Sequence, residues 1–173
     1  MLLSGTTINL RALEPEDLDF LYAIENDEIF WEVSHTHAPF SKYTLKNYLE
    51  NAHLDIYEAK QLRLIIEEVT TKKPVGMIDL FDFNPQHKRA GVGILIAPEF
   101  QEKGYANKAL ILLIKYSFTY LNLHQLYANI SSENKKSIAL FEKNNFVQAG
   151  VKKEWLFSEE KFKDEILYQL IKS

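Results

Sequence analysis

One stretch, Arg89 to Ser131, restricts the possible folds more than any other. Its first part, Arg89 to Ala97, is strand-like in Val92, Ile94, Leu95 and Ile96. Pro98-Glu99-Phe100-Gln101-Glu102-Lys103-Gly104-Tyr105-Ala106 then opens a helix whose body runs to about Leu121, and Gln125 to Ser131 is a strand again. Strand, loop, helix and strand in that order predict a crossover unit, the connection that parallel neighbours in a sheet require. Gly91 and Gly93 within the first strand predict a bulge, or a place where another group approaches the backbone.

The remaining segments fit around this unit. Thr6 to Leu13 alternates as a strand, and Pro15 is placed to open a helix carrying Leu18, Leu21 and Tyr22 on one face. Glu25 to Phe40 mixes charge with Phe30, Trp31, His35 and His37 without a sustained period. It reads as a long loop, a type that often carries function. Ser41 caps a second helix through Leu45, Tyr48 and Leu49. Leu62 to Val69 and Pro74 to Asn84 form a hairpin about Thr70-Thr71-Lys72-Lys73. Asn134 to Asn144 is a helix, and Val147 to Phe157 with Phe162 to Ile171 close the chain as an antiparallel pair. The expectation is an α/β (α+β) fold, a mixed sheet flanked by helices, in one domain spanning residues 1–173.

Composition removes several classes of function. At 173 residues a chain buries roughly 68–70% of its unfolded surface, so a core forms without staples. No cysteine is present, which excludes a thiolate nucleophile and a Cys-ligated metal, and a reduced cytoplasm is the simplest location. The opening Met1-Leu2-Leu3-Ser4-Gly5 lacks a basic n-region and a long apolar core, so no secretory leader is expected. The apolar run Ala109 to Ile114 is far short of the ~20 residues of a membrane span. A net charge of −4 argues against a nucleic acid and suits a small cationic ligand. His35-x-His37 has no further ligand cluster nearby, so no metal is expected. Hydrolase elbow, zinc-protease and full Walker motifs are absent.

Gln101-Glu102-Lys103-Gly104-Tyr105-Ala106 carries the chemistry. Unpaired N–H groups at a helix start, with the positive end of its dipole, form a phosphate site that Gly104 lets an anion approach closely. By itself the segment equally describes a tight strand-to-helix turn with an exposed Lys103. Further on stands Asn134-Lys135-Lys136-Ser137-Ile138-Ala139-Leu140-Phe141-Glu142-Lys143-Asn144-Asn145-Phe146. Taken singly, Asn134 is also an N-cap, and Ile138, Phe141 and Phe146 are core residues. Together the two segments resemble the GNAT superfamily of acyl-CoA N-acyltransferases, over most of the chain.

That resemblance implies a mostly antiparallel sheet of six to seven strands with a splayed central pair, and acetyl-CoA as acetyl donor. Gln101, Glu102, Lys103, Gly104, Tyr105 and Ala106 would bind its pyrophosphate, and Asn134, Ser137, Leu140, Phe141 and Lys143 would line its pantetheine arm. Ile94, Leu95 and Ile96 would pair with the pantetheine amides, Leu95 also giving the backbone oxyanion donor. Many members carry Tyr where Phe141 stands, as acid for the leaving sulfur, and several carry a glutamate base where Gly91 stands.

Asp79 to Ala90, Ile96 to Phe100 and Phe162 to Asp164 look like the spermidine/diamine acetyltransferases, with N-terminal (ribosomal) protein and amino-acid acetyltransferases close in pattern. The acidic, aromatic loop of Glu25, Asp27, Glu28, Trp31 and Glu32 favours a polyamine, with Glu28, Trp31 and Glu32 as the substrate candidates, because carboxylates pair with ammonium groups and an aromatic face attracts a cation. For the base, strand parity sends Asp79 and Asp82 to opposite faces unless a bulge intervenes. Asp82 is favoured, with His87 second. A non-catalytic acyl-CoA-binding module is the alternative that Phe141 and Gly91 raise. Edge strands in the C-terminal hairpin are the candidates to join copies into a homo-oligomer.

Overall fold

The computed structural model describes residues 2–173, and Met1, with which the leader reading begins, lies outside the described residues. Seven strands form one sheet in the order β1-β2-β3-β4-β5-β7-β6. They are β1 Ile8–Arg11, β2 Leu62–Glu68, β3 Pro74–Asn84, β4 Arg89–Ile96, β5 Gln125–Ser131, β6 Val147–Ser158 and β7 Lys161–Ile171. The helices are α1 Leu18–Glu25, α2 Trp31–Ser34, α3 Lys42–Glu50, α4 Ile56–Ala59, α5 Tyr105–Thr119 and α6 Lys135–Lys143. Every neighbouring pair is antiparallel except β4 and β5, which the crossover through α5 makes parallel.

The central strands β2 and β3 are buried on both faces. Leu64, Ile66, Ile78 and Leu80 pack with Ala109, Leu110 and Leu113 of α5, while Ile65 and Met77 meet Leu21 and Ile24 of α1 and Leu45 of α3. Consecutive residues of β2 therefore face two cores, so its sequence reads as a continuous apolar run rather than an alternation. Each such side chain contributes about 1.5–3 kcal/mol on burial.

The segment expected as a long loop, Glu25 to Phe40, is instead mostly helical turns: a 3-10 turn Glu28–Phe30 runs into α2. The Asp27 carboxylate accepts the Ile29 N–H (3.1 Å) to start the turn, and Asn26 exchanges hydrogen bonds with the Phe40 backbone (2.7 and 3.0 Å) to close the segment at its base. Helix α4 likewise has four residues and is started by Asp55, which accepts from Tyr57 and Glu58. Elements this short complete too few turns to show a period.

Two features of the sheet position the site. The β4–β5 ladder holds only Arg89↔Gln125, Ala90↔Leu126 and Gly91↔Tyr127, although both strands continue, so they part beyond Gly91. The bulge is not at Gly91 or Gly93 but in β3, between Phe81 and Asn84, with Asp82 at φ 48°. The glycines answer the other expectation, close approach. A Cβ at Gly91 would stand 2.3 Å from the Phe81 ring, and one at Gly93 would stand 3.0 Å from Asp79 Oδ1.

Candidate active site

Splaying leaves one edge of β4 without a strand partner. The Ala97 N–H donates to the Val75 carbonyl (2.9 Å), and the register is continuous from Ile96↔Gly76 to Gly91↔Phe81. Alternation therefore turns the Leu95 N–H toward Met77 of β3 and turns those of Ile94 and Ile96 into the gap. Leu95, expected as oxyanion donor, is corrected on this ground: its amide belongs to the ladder, and Ile94 offers the free donor.

A groove of about 570 Å³ runs from this gap to the start of α5. Ile94, Leu95, Ile96, Gln101, Glu102, Gly104, Tyr105, Ala106, Asn134, Ser137 and Leu140, all candidates for cofactor binding, border it. Gly104 adopts φ 81° and ψ 5° directly before the helix, a left-handed conformation that favours glycine. Nothing lies within 4 Å of where its Cβ would be, so the approach to the helix's unpaired N–H groups is open. The first turn of α5 carries no acidic residue. The Gln101 side-chain amide donates to the Ile96 carbonyl (3.1 Å), tying the phosphate turn to the splayed strand. These features fit a pyrophosphate at the helix start and an extended amide-bearing arm along β4.

Three expected cofactor residues lie elsewhere. Lys103 sits over the Phe100 ring (5.4 Å) and does not border the groove. Lys143 is exposed in the last turn of α6, whereas the groove follows the helix from Asn134 to Leu140. Phe141 is buried edge-on against Phe146 (4.9 Å) and borders an inner cavity instead. Lys136, a cation bordering the groove, was missed. Asn134 accepts the Ser137 N–H (3.2 Å), so its N-cap role holds as well.

The inner cavity, about 280 Å³, lies where the strands part. Asp79 reaches it across Gly93, beside Arg63, Glu25 and Phe81. Burial holds the Asp79 carboxyl above its ordinary pKa, with the Arg63 charge pulling the other way. Arg63 donates to Glu25 Oε1 (2.9 Å) and lies over the Tyr48 ring (5.6 Å). The two bases favoured from the sequence are not here. Asp82 is exposed beyond the bulge, where Tyr127 donates to it at 3.5 Å, and His87 is exposed in the β3–β4 turn. The bulge that the parity argument allowed for is present, because the chain leaves the regular pleat at Asp82, and of the two carboxylates only Asp79 reaches the cavity.

A third pocket, about 380 Å³, opens beside the first two and is lined by Glu32, His35, Asn129, Glu133, Glu159, Lys163 and Glu165 among others. Val33 and Ser137 border all three cavities, which marks their meeting point. Of the expected substrate residues only Glu32 lines this pocket. Glu28 is exposed in the preceding turn, and Trp31 spends its indole N–H on the Glu25 carbonyl (3.1 Å). Lys163 is nearly inaccessible and donates to Glu32 (3.1 and 3.2 Å) and Glu159 (3.0 Å), with Glu133 at 3.3 Å. Desolvation lowers its pKa, and the hydrogen bonds it donates to these carboxylates outweigh that and raise it. Among the described residues no group of His, Asp and Glu could hold a metal.

Comparison with known proteins places this architecture. Residues 7–147 match the acetyltransferase (GNAT) domain family. A spermidine N(1)-acetyltransferase of Vibrio cholerae is 32% identical over 163 residues, covering 92% of this chain and 90% of that protein. The crystal structure of a spermidine N-acetyltransferase from Vibrio cholerae in complex with CoA and spermine superposes with a TM-score of 0.87 at 31% identity, covering 96% of each chain. A dodecameric structure of the Vibrio cholerae spermidine N-acetyltransferase gives 0.81 at 32% identity, covering 96% and 95%. The chain belongs to the GNAT acetyltransferase family. It is an acetyl-CoA-dependent N-acetyltransferase. No described helix is long and apolar enough to cross a membrane.

Proposed function

We propose that residues 1–173 form one catalytic domain that transfers acetyl from acetyl-CoA directly to a primary amine of a polyamine such as spermidine. The observation that carries this reading is the acidic pocket of Glu32, Glu133, Glu159 and Glu165, which meets the acyl groove at Val33 and Ser137. Polyammonium acceptors suit such a pocket, and a relative 32% identical over 92% of this chain is a spermidine N(1)-acetyltransferase.

Acetyl-CoA supplies an acyl carbon activated as a thioester. The N–H groups at the start of α5 hold its diphosphate, and the free edge of β4 at Ile94 and Ile96 orients its amide arm. The Ile94 N–H faces the gap and stabilises the oxyanion that develops there. An amine with pKa near ~10.4 arrives as ammonium, so a proton must leave before nitrogen attacks. Asp79 accepts it: burial raises its basicity, and Arg63 with Glu25 fixes its surroundings. Phe141 has no proton to give the departing sulfur, and a thiol of pKa ~8.5 leaves as thiolate without one. Phe141 is also the observation favouring a second reading, an acyl-CoA-binding module without turnover.

Assembly and location complete the proposal. β6 is an edge strand exposing Val147, Val151, Trp155 and Phe157, with Phe162 of β7 beside them. A homo-oligomer formed through this edge, in the cytoplasm, fits that surface. The deciding experiment is acceptor-dependent thiol release from acetyl-CoA with spermidine, spermine, putrescine, amino acids and short peptides. Turnover ranked toward polyamines is expected. Intact acetyl-CoA binding with no acceptor-dependent release would overturn it in favour of the binding module.

A further inference from the structure

We propose that Lys163 sets how many ammonium groups the acceptor carries into the site, by neutralising part of the acidic pocket with a cation of the protein's own. The inference rests on the reading of the protein as a polyamine acetyltransferase and adds its charge rule. The Lys163 side chain is 4% exposed, yet it stands among carboxylates that are far more open, Glu32 at 35%, Glu133 at 47% and Glu159 at 72%. Those carboxylates come from three separate segments: α2, the loop before α6, and the β6–β7 turn. An ammonium held from three sides in a pocket lining is what a bound amine's own ammonium would be there, so Lys163 occupies a place an acceptor would otherwise fill.

Charge counting turns this into a specificity statement. Glu32, Glu133, Glu159 and Glu165 line the pocket, and three ammonium groups, those of Lys163, Lys161 and Lys152, pair with them, leaving one net negative charge. In the inner cavity Glu25 and Asp79 stand against Arg63, again leaving one. The inner charge meets the nitrogen that reacts, and the outer charge meets one further ammonium. A second distal ammonium finds no unmatched carboxylate while Lys163 is in place, and like charges this close oppose it. The side chain therefore discriminates by charge number.

The test compares kcat/KM for butylamine, putrescine, spermidine and spermine in the native protein, Lys163→Met and Glu159→Gln. Native values should rise from the monoamine to the diamine and then level. In Lys163→Met the spermine-to-putrescine ratio should rise at least about tenfold, the ~1.4 kcal/mol of one added charge contact. Glu159→Gln, at a mostly exposed position that folding tolerates, should pull putrescine down toward butylamine, and it carries the test if Lys163→Met does not fold. A parallel readout is the rise in Tm on adding spermine, which should be larger in Lys163→Met than in the native protein. Amine acetylation with an unmoved ratio overturns the charge rule and leaves the function standing. A spermine-dependent Tm difference without acetylation of any amine supports the charge rule and overturns the function.

Discussion

Replacing Asp79 with Asn separates the base from the fold, because the two effects have opposite signs. Asp79 is lodged across Gly93 with burial pushing its carboxyl up, and Arg63, its main favourable partner, already holds Glu25 at 2.9 Å. Two carboxylates thus share one guanidinium. Between the unfolded value of ~3.9 and the raised native value, the folded state holds the extra proton, so stability falls as pH rises through that window. Above it the deficit is constant, at ~1.4 kcal/mol for each tenfold change in proton affinity. Asp79→Asn removes that deficit and leaves the Arg63–Glu25 pair intact. Its Tm at pH 8 should exceed the native one, by about 2–4 °C per kcal/mol for a chain of this size, and the gain should vanish toward pH 3. Turnover at saturating acetyl-CoA should fall by about 10²–10⁴-fold, the usual contribution of a positioned base. The native rate should in turn decline as pH drops through the raised Asp79 value. Thermal unfolding at several pH values and thiol release with spermidine read the two effects. Undiminished turnover, or a variant that melts lower at pH 8, refutes the assignment.

Gly104→Glu should reduce acetyl-CoA affinity by at least about 100-fold, since the open space at its Cβ would receive a carboxylate facing the diphosphate; Gly104→Ala, which shares the ~1–2 kcal/mol left-handed strain but no charge, should melt lower and still bind in calorimetry. Phe141→Tyr should raise the rate at pH 6.5 more than at pH 8.5, because an acid helps the sulfur leave only where thiolate is disfavoured; steady-state rates against pH check this. Burial would raise the Asp17 carboxyl, but hydrogen bonds from Arg11 and the Glu14 N–H hold it below its ordinary value. Its contribution is present above ~3.9 and lost as pH falls through the native value, so Asp17→Asn should lower stability by about 1.5–3 kcal/mol at pH 7 and by little near pH 2, read by urea titration.

The parts of this site that a sequence discloses are those built from neighbours along the chain. The Gln101–Ala106 turn, the Asn134–Leu140 face and the crossover between them are local patterns, and they meet in one groove. The acceptor side is assembled from distant segments. Glu32 and Lys163 are 131 positions apart, and Glu25 and Arg63 are 38 apart, so no spacing rule brings them together. Parity alone did not choose between Asp79 and Asp82, and the irregularity between Phe81 and Asn84 that decides where Asp82 points has no local signal in the sequence. Lys143 was carried over with the α6 motif, but it sits at the far end of that helix, beyond the Asn134–Leu140 stretch that borders the groove.

Gly91 and Gly93 let side chains of β3 lie over the β4 backbone, and they permit a last test. The resemblance of the sequence to the GNAT family leads to the expectation of a glutamate base on β4 at Gly91. Here that position is glycine, and the Phe81 ring of the facing strand lies across it, while Asp79, two residues earlier on β3, lies across Gly93. Both glycines admit a β3 side chain over the β4 backbone. Alanine at the two positions should therefore fail differently. At Gly91 its Cβ would meet ring carbons of a half-buried Phe81 at 2.3 Å, so the ring must leave its place against Tyr127 and stability should drop by about 1–3 kcal/mol. At Gly93 the contact is 3.0 Å to the tip of a carboxylate that can swing aside, so the protein should melt near its native temperature. The displaced carboxylate would lose its line to the acceptor nitrogen, and kcat should fall while acetyl-CoA affinity holds. If Gly93→Ala instead turns over at the native rate, Asp79 is a structural carboxylate and the base lies outside β3.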